Sequence, residues 1–206
     1  MPQVLKEEVR SRILDAALEV FASHGYAGAT IAAIAERAGV GAASLYRYYP
    51  GKGELFDAVV TPEVAARFEA LLERRVRGLA HLVDAGAARG DAAAEEILSF
   101  WVEHRLAVVI LLDRAEGTEY ARFGERFVEL LTNATIAQLR AAHPGVRVSA
   151  PVRFVLERIF EGTRRTLAAI LAEHAREREL REAIEVFWSY QIPGLAGLAE
   201  RAAARR

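Results

Sequence analysis

Apolar residues recur at spacings of three and four along most of the chain, the period of a helix that buries one face. Val9, Ile13, Ala16, Ala17, Val20 and Phe21 form the first such face. They predict a helix from about Glu8 to His24, with Gly25 as its left-handed C-cap. Thr30 is placed to cap a short helix over 31–38, which Gly39 closes. A third helix is expected over roughly 42–48 and a fourth from Lys52 or Gly53 to about Val60. Thr61-Pro62 reads as the N-cap and first-turn proline of a helix lasting to about Ala88, and Gly90-Asp91 restarts the chain into a helix reaching Leu112. Three more follow: about Glu116 to Ala142, Ser149 to about Ala175, and Glu179 to about Arg205, with Pro193-Gly194 a candidate break in the last. No run of alternating β-branched residues argues for a strand. The expected fold is all-α, with about nine or ten helices.

Composition narrows the function classes. At 206 residues and 52% apolar, the chain has ample material for a core, which excludes a disordered protein. The net charge of −1 excludes a uniformly basic nucleic-acid coat but not a local patch. Residues 1–60 are no exception, with six basic side chains against seven acidic. Cysteine is absent, so there is no thiolate chemistry and no Cys-ligated zinc. The N-terminus lacks the charged-then-apolar order of a signal peptide, and the longest apolar run, Leu106 to Leu112, is far short of the roughly 20 residues a membrane span needs. A cytoplasmic location without a membrane partner is expected. The histidines at 24, 81, 104, 143 and 174 show no metal-ligand spacing, and His81 with Asp84 reads as a surface pair. No nucleophile elbow, phosphate-cradling loop or dinucleotide fingerprint occurs. No catalytic residue, metal or cofactor is therefore expected.

The informative segment is Ile31 to Pro50, I-A-A-I-A-E-R-A-G-V-G-A-A-S-L-Y-R-Y-Y-P. Two short helices meet here through a tight turn. Ala35 is small where the backbones approach, Gly39 takes the left-handed conformation without steric cost, and Ile34, Ala38, Val40 and Leu45 point into one miniature core. These are the offsets of a helix-turn-helix, whose second helix stands free to enter a DNA major groove.

From Ile13 to Val60 the chain resembles the DNA-binding domain of TetR-family transcriptional regulators. The residues that carry the likeness are I-L-D-A-A-L-E-V-F-A-S-H-G-Y, T-I-A-A-I-A-E-R-A-G-V and S-L-Y-R-Y-Y-P-G-K-G-E-L-F. The resemblance implies a homodimeric all-helical regulator, usually a repressor, released from a palindromic double-stranded DNA operator by a small-molecule effector. It implies a three-helix reading domain over 1–52 and a helical effector-binding and dimerisation bundle over 53–206. Gly41 and Ala42 stand where the family often has Ser-Lys, and Ala32 and Ala33 where it often has an Arg-Asp pair, so the reading surface is poor in long polar side chains.

Residue roles follow. Thr30 caps its helix and can donate to a phosphate. Gly41, Ala42, Ala43, Ser44 and Arg47 lie near the groove: Ser44 for a base or phosphate, an alanine for a thymine methyl, and Arg47 for a phosphate or a surface acid. By resemblance the hydroxyls of Tyr46 and Tyr48 reach phosphates, while Tyr49 anchors the core. Lys52 opens its helix, where its ammonium and the free N–H groups can clamp one phosphate. In the C-terminal half, Trp101, His104, Arg105, Tyr120, Phe123 and Phe127 are the candidate lining of an effector pocket suited to a largely apolar ligand. The wide apolar stripes of the last two helices suggest a four-helix dimer interface through Phe160, Leu167, Phe187, Trp188, Leu195 and Leu198. The competing readings are an all-helical interaction scaffold and an enzyme without DNA binding.

Overall fold

The computed structural model describes residues 3–78 and 92–204. Every regular element among them is helical, in the order α1 (Gln3–Gly28), α2 (Ile31–Ala38), α3 (Ala42–Leu45), α4 (Lys52–Val59), α5 (Pro62–Gly78), α6 (Ala92–Glu103), α7 (Arg105–Val109), one π-helical turn (Ile110–Arg114), α8 (Phe123–Ala142), α9 (Ala150–Glu173) and α10 (Glu177–Ala204). The expected end of α5 near Ala88, the restart at Gly90-Asp91 and the His81–Asp84 pair lie outside the described residues. No described helix is long and apolar enough to cross a membrane.

α1 is the hub. Its apolar face, from Ile13 to Phe21, is buried against α2, α4, α7 and the π-turn. It begins earlier than its apolar face because Leu5 to Glu8 are good helix formers. Gly25 does not cap it in the left-handed helical conformation. At φ 71° and ψ 163° it occupies a region essentially restricted to glycine and kinks the chain into one last helical turn. Around that kink Phe21, Tyr26 and Phe56 pack edge and face, with centroids 5.0–5.8 Å apart, and Tyr120 joins from the 115–122 loop at 6.4 Å.

Behind this cluster, α5, α6 and α8 share a stack of rings, Phe100 on Phe68 on Phe123. The expected helix ending at Leu112 is three pieces. It breaks at His104 (φ −110°, ψ 29°) and resumes as α7, which widens into the π-turn. The expected helix from Glu116 is turn-rich until Phe123. α10 runs unbroken through Pro193. The carbonyl deprived of a partner there belongs to Ser189, on an exposed stretch where water can satisfy it.

One polar network ties α9 to the π-turn. Arg164 of α9 is largely buried and donates to both oxygens of Glu161 at 2.8 and 2.9 Å, to Asp113 Oδ1 at 2.8 Å and to the Leu112 carbonyl. The Arg164 guanidinium pulls the Glu161 carboxyl from 4.5 down to about 2, with Arg165 assisting. A depressed folded-state value means that the stabilisation is complete above the unfolded value and is lost as pH falls from about 4.5 towards 2. Glu161→Gln is therefore expected to cost about 2 kcal/mol at pH 7 and almost nothing near pH 2. Urea unfolding of both proteins across that range checks it, and a pH-independent difference would refute the assignment.

Candidate nucleic-acid interface

Thr30 starts the reading unit: its hydroxyl accepts from the Ala33 N–H at 3.1 Å and caps α2. α2 ends in a Schellman turn. Gly39 is left-handed (φ 65°, ψ 37°), its N–H donates to the Glu36 carbonyl, and the Val40 N–H donates to the Ala35 carbonyl. The turn brings α3 across α2, with Ile34, Ala35, Ala38 and Leu45 buried between them and Val40 half-buried at the edge. The expected third helix is shorter than its apolar pattern suggests. After one α-turn, the Arg47 and Tyr48 N–H groups donate to carbonyls three residues back. Pro50 disfavours the helical conformation for Tyr49, and Tyr49 is buried with its hydroxyl accepting from Arg10 Nε at 3.2 Å.

What α3 shows to solvent is small and polar. Gly41, Ala42 and Ala43 are exposed, as is Thr30 at the far end of α2, and Ser44 is half-buried. Arg47 is exposed and donates to the Ser44 hydroxyl at 2.9 Å rather than to an acid. Tyr46 is 52% exposed, whereas Tyr48 packs against the core, so the two tyrosines face different ways. Beside this unit, Arg37 is tied to Glu19 of α1.

Lys52 requires a correction. Its ammonium does not stand free as a phosphate clamp: it donates to the Tyr26 and Ala29 carbonyls at 2.8 and 3.0 Å and lies 4.4 Å above the Tyr26 ring. The kink at Gly25 leaves carbonyls at the end of α1 without helical partners, and a cation at a helix C-terminus satisfies them. The N-terminus of α4 is shielded as well, because Glu54 folds back so closely that a Cβ at Gly51 would stand 2.9 Å from its Oε2. Local spacing carries no sign of this, since the partners of Lys52 are more than twenty residues away.

The six candidate pocket residues do not share one environment. Trp101, Phe123 and Phe127 are buried in the bundle, and Tyr120 belongs to the cluster at α1 and α4. His104 sits at the α6–α7 break, 4.7 Å from the Phe100 ring. Arg105 caps the C-terminus of α9, donating to the Leu171 and Ala172 carbonyls, so it is no free ligand contact. Among the described residues, two buried polar atoms lack a hydrogen-bond partner, Trp101 Nε1 and Thr132 Oγ1. Thr132 was not among the expected residues.

The expected dimer contacts also divide. Phe160 and Leu167 are 3% and 1% exposed within the single chain and belong to its own core, a correction to their expected place. The apolar stripe on α9 is wide enough to bury them against the chain itself. Phe187, Trp188, Leu195 and Leu198 are half-buried, and the exposed large apolar side chains on these helices, among the described residues, are Phe154, Val155, Val186 and Tyr190. Among the described residues no group of acidic or histidine side chains is arranged to hold a metal ion.

Residues 13–59 match a family model described as bacterial regulatory proteins, tetR family. The HTH-type transcriptional regulator SrpR of Pseudomonas putida is 48% identical over 54 residues, which cover 26% of this chain and 25% of that protein. The HTH-type transcriptional repressor AcnR of Corynebacterium diphtheriae is 28% identical over 173 residues, covering 79% of this chain and 84% of that one. This chain spans 25%, 40% and 28% of the lengths of the first three curated relatives it matches. The crystal structure of a TetR-like transcriptional regulator from Rhodococcus sp. RHA1 aligns over 100% of both chains at 23% identity, with a TM-score of 0.48.

Proposed function

We propose that this chain, whose residues 13–59 match the model of the tetR family of bacterial regulatory proteins, is a member of that family and a ligand-responsive regulator that binds a palindromic operator as a homodimer. Residues 1–52 read DNA, and residues 53–206 bind effector and dimerise. One observation carries the proposal: beyond the Gly39 turn, α3 and the turn that follows it leave Ala42, Ala43, Tyr46 and Arg47 exposed. Such a surface suits a major groove, with Arg47, Ser44 and Tyr46 reaching phosphates or base edges and the alanines meeting thymine methyls. With no excess of basic charge in residues 1–60, affinity comes from placement and from doubling by symmetry. The uncovered apolar residues of α9 and α10 are the dimer surface, with Phe187, Trp188, Leu195 and Leu198 at its margin.

The action is repression, relieved when a small, largely apolar effector favours a form whose two reading heads are misaligned. Trp101 Nε1 and Thr132 Oγ1, both buried and unpartnered, support an effector that carries at least one hydrogen-bonding group. AcnR, which resembles this chain over most of its length, is named a repressor.

The test is selection of duplexes from a random library by the full chain, followed by anisotropy titration over a range of salt. Arg47→Ala is expected to weaken binding to the selected duplex about tenfold and to reduce the salt slope by about 1. Failure to select any duplex, or affinity indifferent to salt, would overturn the proposal.

A further inference from the structure

The Leu112 carbonyl is where three elements of the bundle meet. Arg164 of α9 donates to it, and α8 approaches so closely that a Cβ at Gly124 would stand 2.5 Å from that oxygen and 3.0 Å from Arg164 Cδ. The next residue, Asp113, accepts from Arg164 Nη1 at 2.8 Å with one carboxylate oxygen and faces Arg114 Nε at 3.5 Å with the other. Arg114 in turn lies on the kink of α1: a Cβ at Gly25 would be 3.6 Å from its carbonyl oxygen and 3.9 Å from its Cδ. The ionic chain Glu161–Arg164–Asp113–Arg114 therefore runs from α9 to the end of the π-turn, where Arg114 packs against Gly25 of α1, the helix on which the reading head is built. π-helical turns are rare and occur frequently at functional sites.

We infer that Arg164 is a positioning residue for DNA recognition, fixing through the π-turn the angle at which α9 carries α1 and the α2–α3 head. The inference rests on the proposed regulatory function. α9 also bears the uncovered Phe154 and Val155, so a contact to a second subunit on this helix is transmitted to the head without passing through α4. Two heads must address one duplex together, and their separation tolerates little change in that angle. Arg164 touches no part of the proposed DNA surface.

The test uses the full-length chain and the duplex it selects, together with a series of that duplex in which one or two base pairs are added between the half-sites. Arg164→Gln and Asp113→Ala are each expected to weaken binding to the selected duplex at least tenfold. They should leave the salt slope unchanged and flatten the preference for the selected spacing. Arg164→Lys, which keeps a cation but loses the fork onto Glu161, should fall between. A purely structural role would lower the melting temperature yet leave affinity per folded protein and spacing preference unaltered. A folded Arg164→Gln protein with wild-type affinity and spacing preference overturns the inference. If that variant does not fold, Asp113→Ala, altered at a more exposed position, decides alone by the same criterion. Failure of the wild-type chain to select any duplex is a different result, which removes the regulatory reading and this inference with it.

Discussion

Gly124→Ala is expected to destabilise the protein by about 3–5 kcal/mol. The added methyl has nowhere to go, since its nearest neighbour is the Leu112 carbonyl oxygen, a backbone atom held in place by the buried Arg164 side chain. Overpacking of this kind costs about 1–3 kcal/mol, and prising a charged hydrogen bond apart adds about 1.5–3 kcal/mol. At roughly 2–4 °C per kcal/mol for a chain of this size, the melting temperature should fall by about 10 °C. Gly162→Ala, between Glu161 and Arg164 on α9 but with nothing within 4 Å, supplies the control. It should stabilise by about 0.5–1 kcal/mol through helix propensity alone. Similar melting temperatures for the two variants would refute the close approach of α8 to the π-turn.

Phe56→Ala should cost about 4 kcal/mol, because a fully buried ring is lost and its cavity can close only in part. Phe56 touches Phe21 and Tyr26 of α1 and reaches Tyr120 of the 115–122 loop, so it joins the reading head to the bundle. Phe56→Leu keeps most of the volume but not the edge-to-face geometry and should cost about 1.5 kcal/mol. Urea unfolding measures both. A Leu variant as damaged as the Ala variant would mean that ring orientation outweighs filled volume at this joint.

The reading unit was legible in the sequence because its determinants are local. Thr30, Gly39 and the small or apolar residues at 34, 35, 38 and 45 act within a few residues of one another, so their order along the chain carries the geometry. The hold of Arg164 on the π-turn and the turn of Lys52 towards α1 depend on partners 23 to 52 residues away, which periodicity does not encode. Phe160 and Leu167 show the limit of an apolar stripe. It marks a face as buried, but what buries it, the same chain or another, depends on where the neighbouring helices pass. Arg105 shows the same limit for charge, being assigned to a ligand by its place among aromatics while its guanidinium caps α9. α3 stops after one turn because Pro50 and the Arg10–Tyr49 contact act on its end, and the second of these is tertiary.

Hydrogen exchange with and without the selected duplex tests most directly whether the α2–α3 unit is the surface that meets DNA. The amides slowed by DNA should lie between Thr30 and Lys52 and at the start of α1, with those of α9 and α10 unchanged. Slowing confined to the bundle, with amides 39–48 exchanging as in the free protein, would contradict the account.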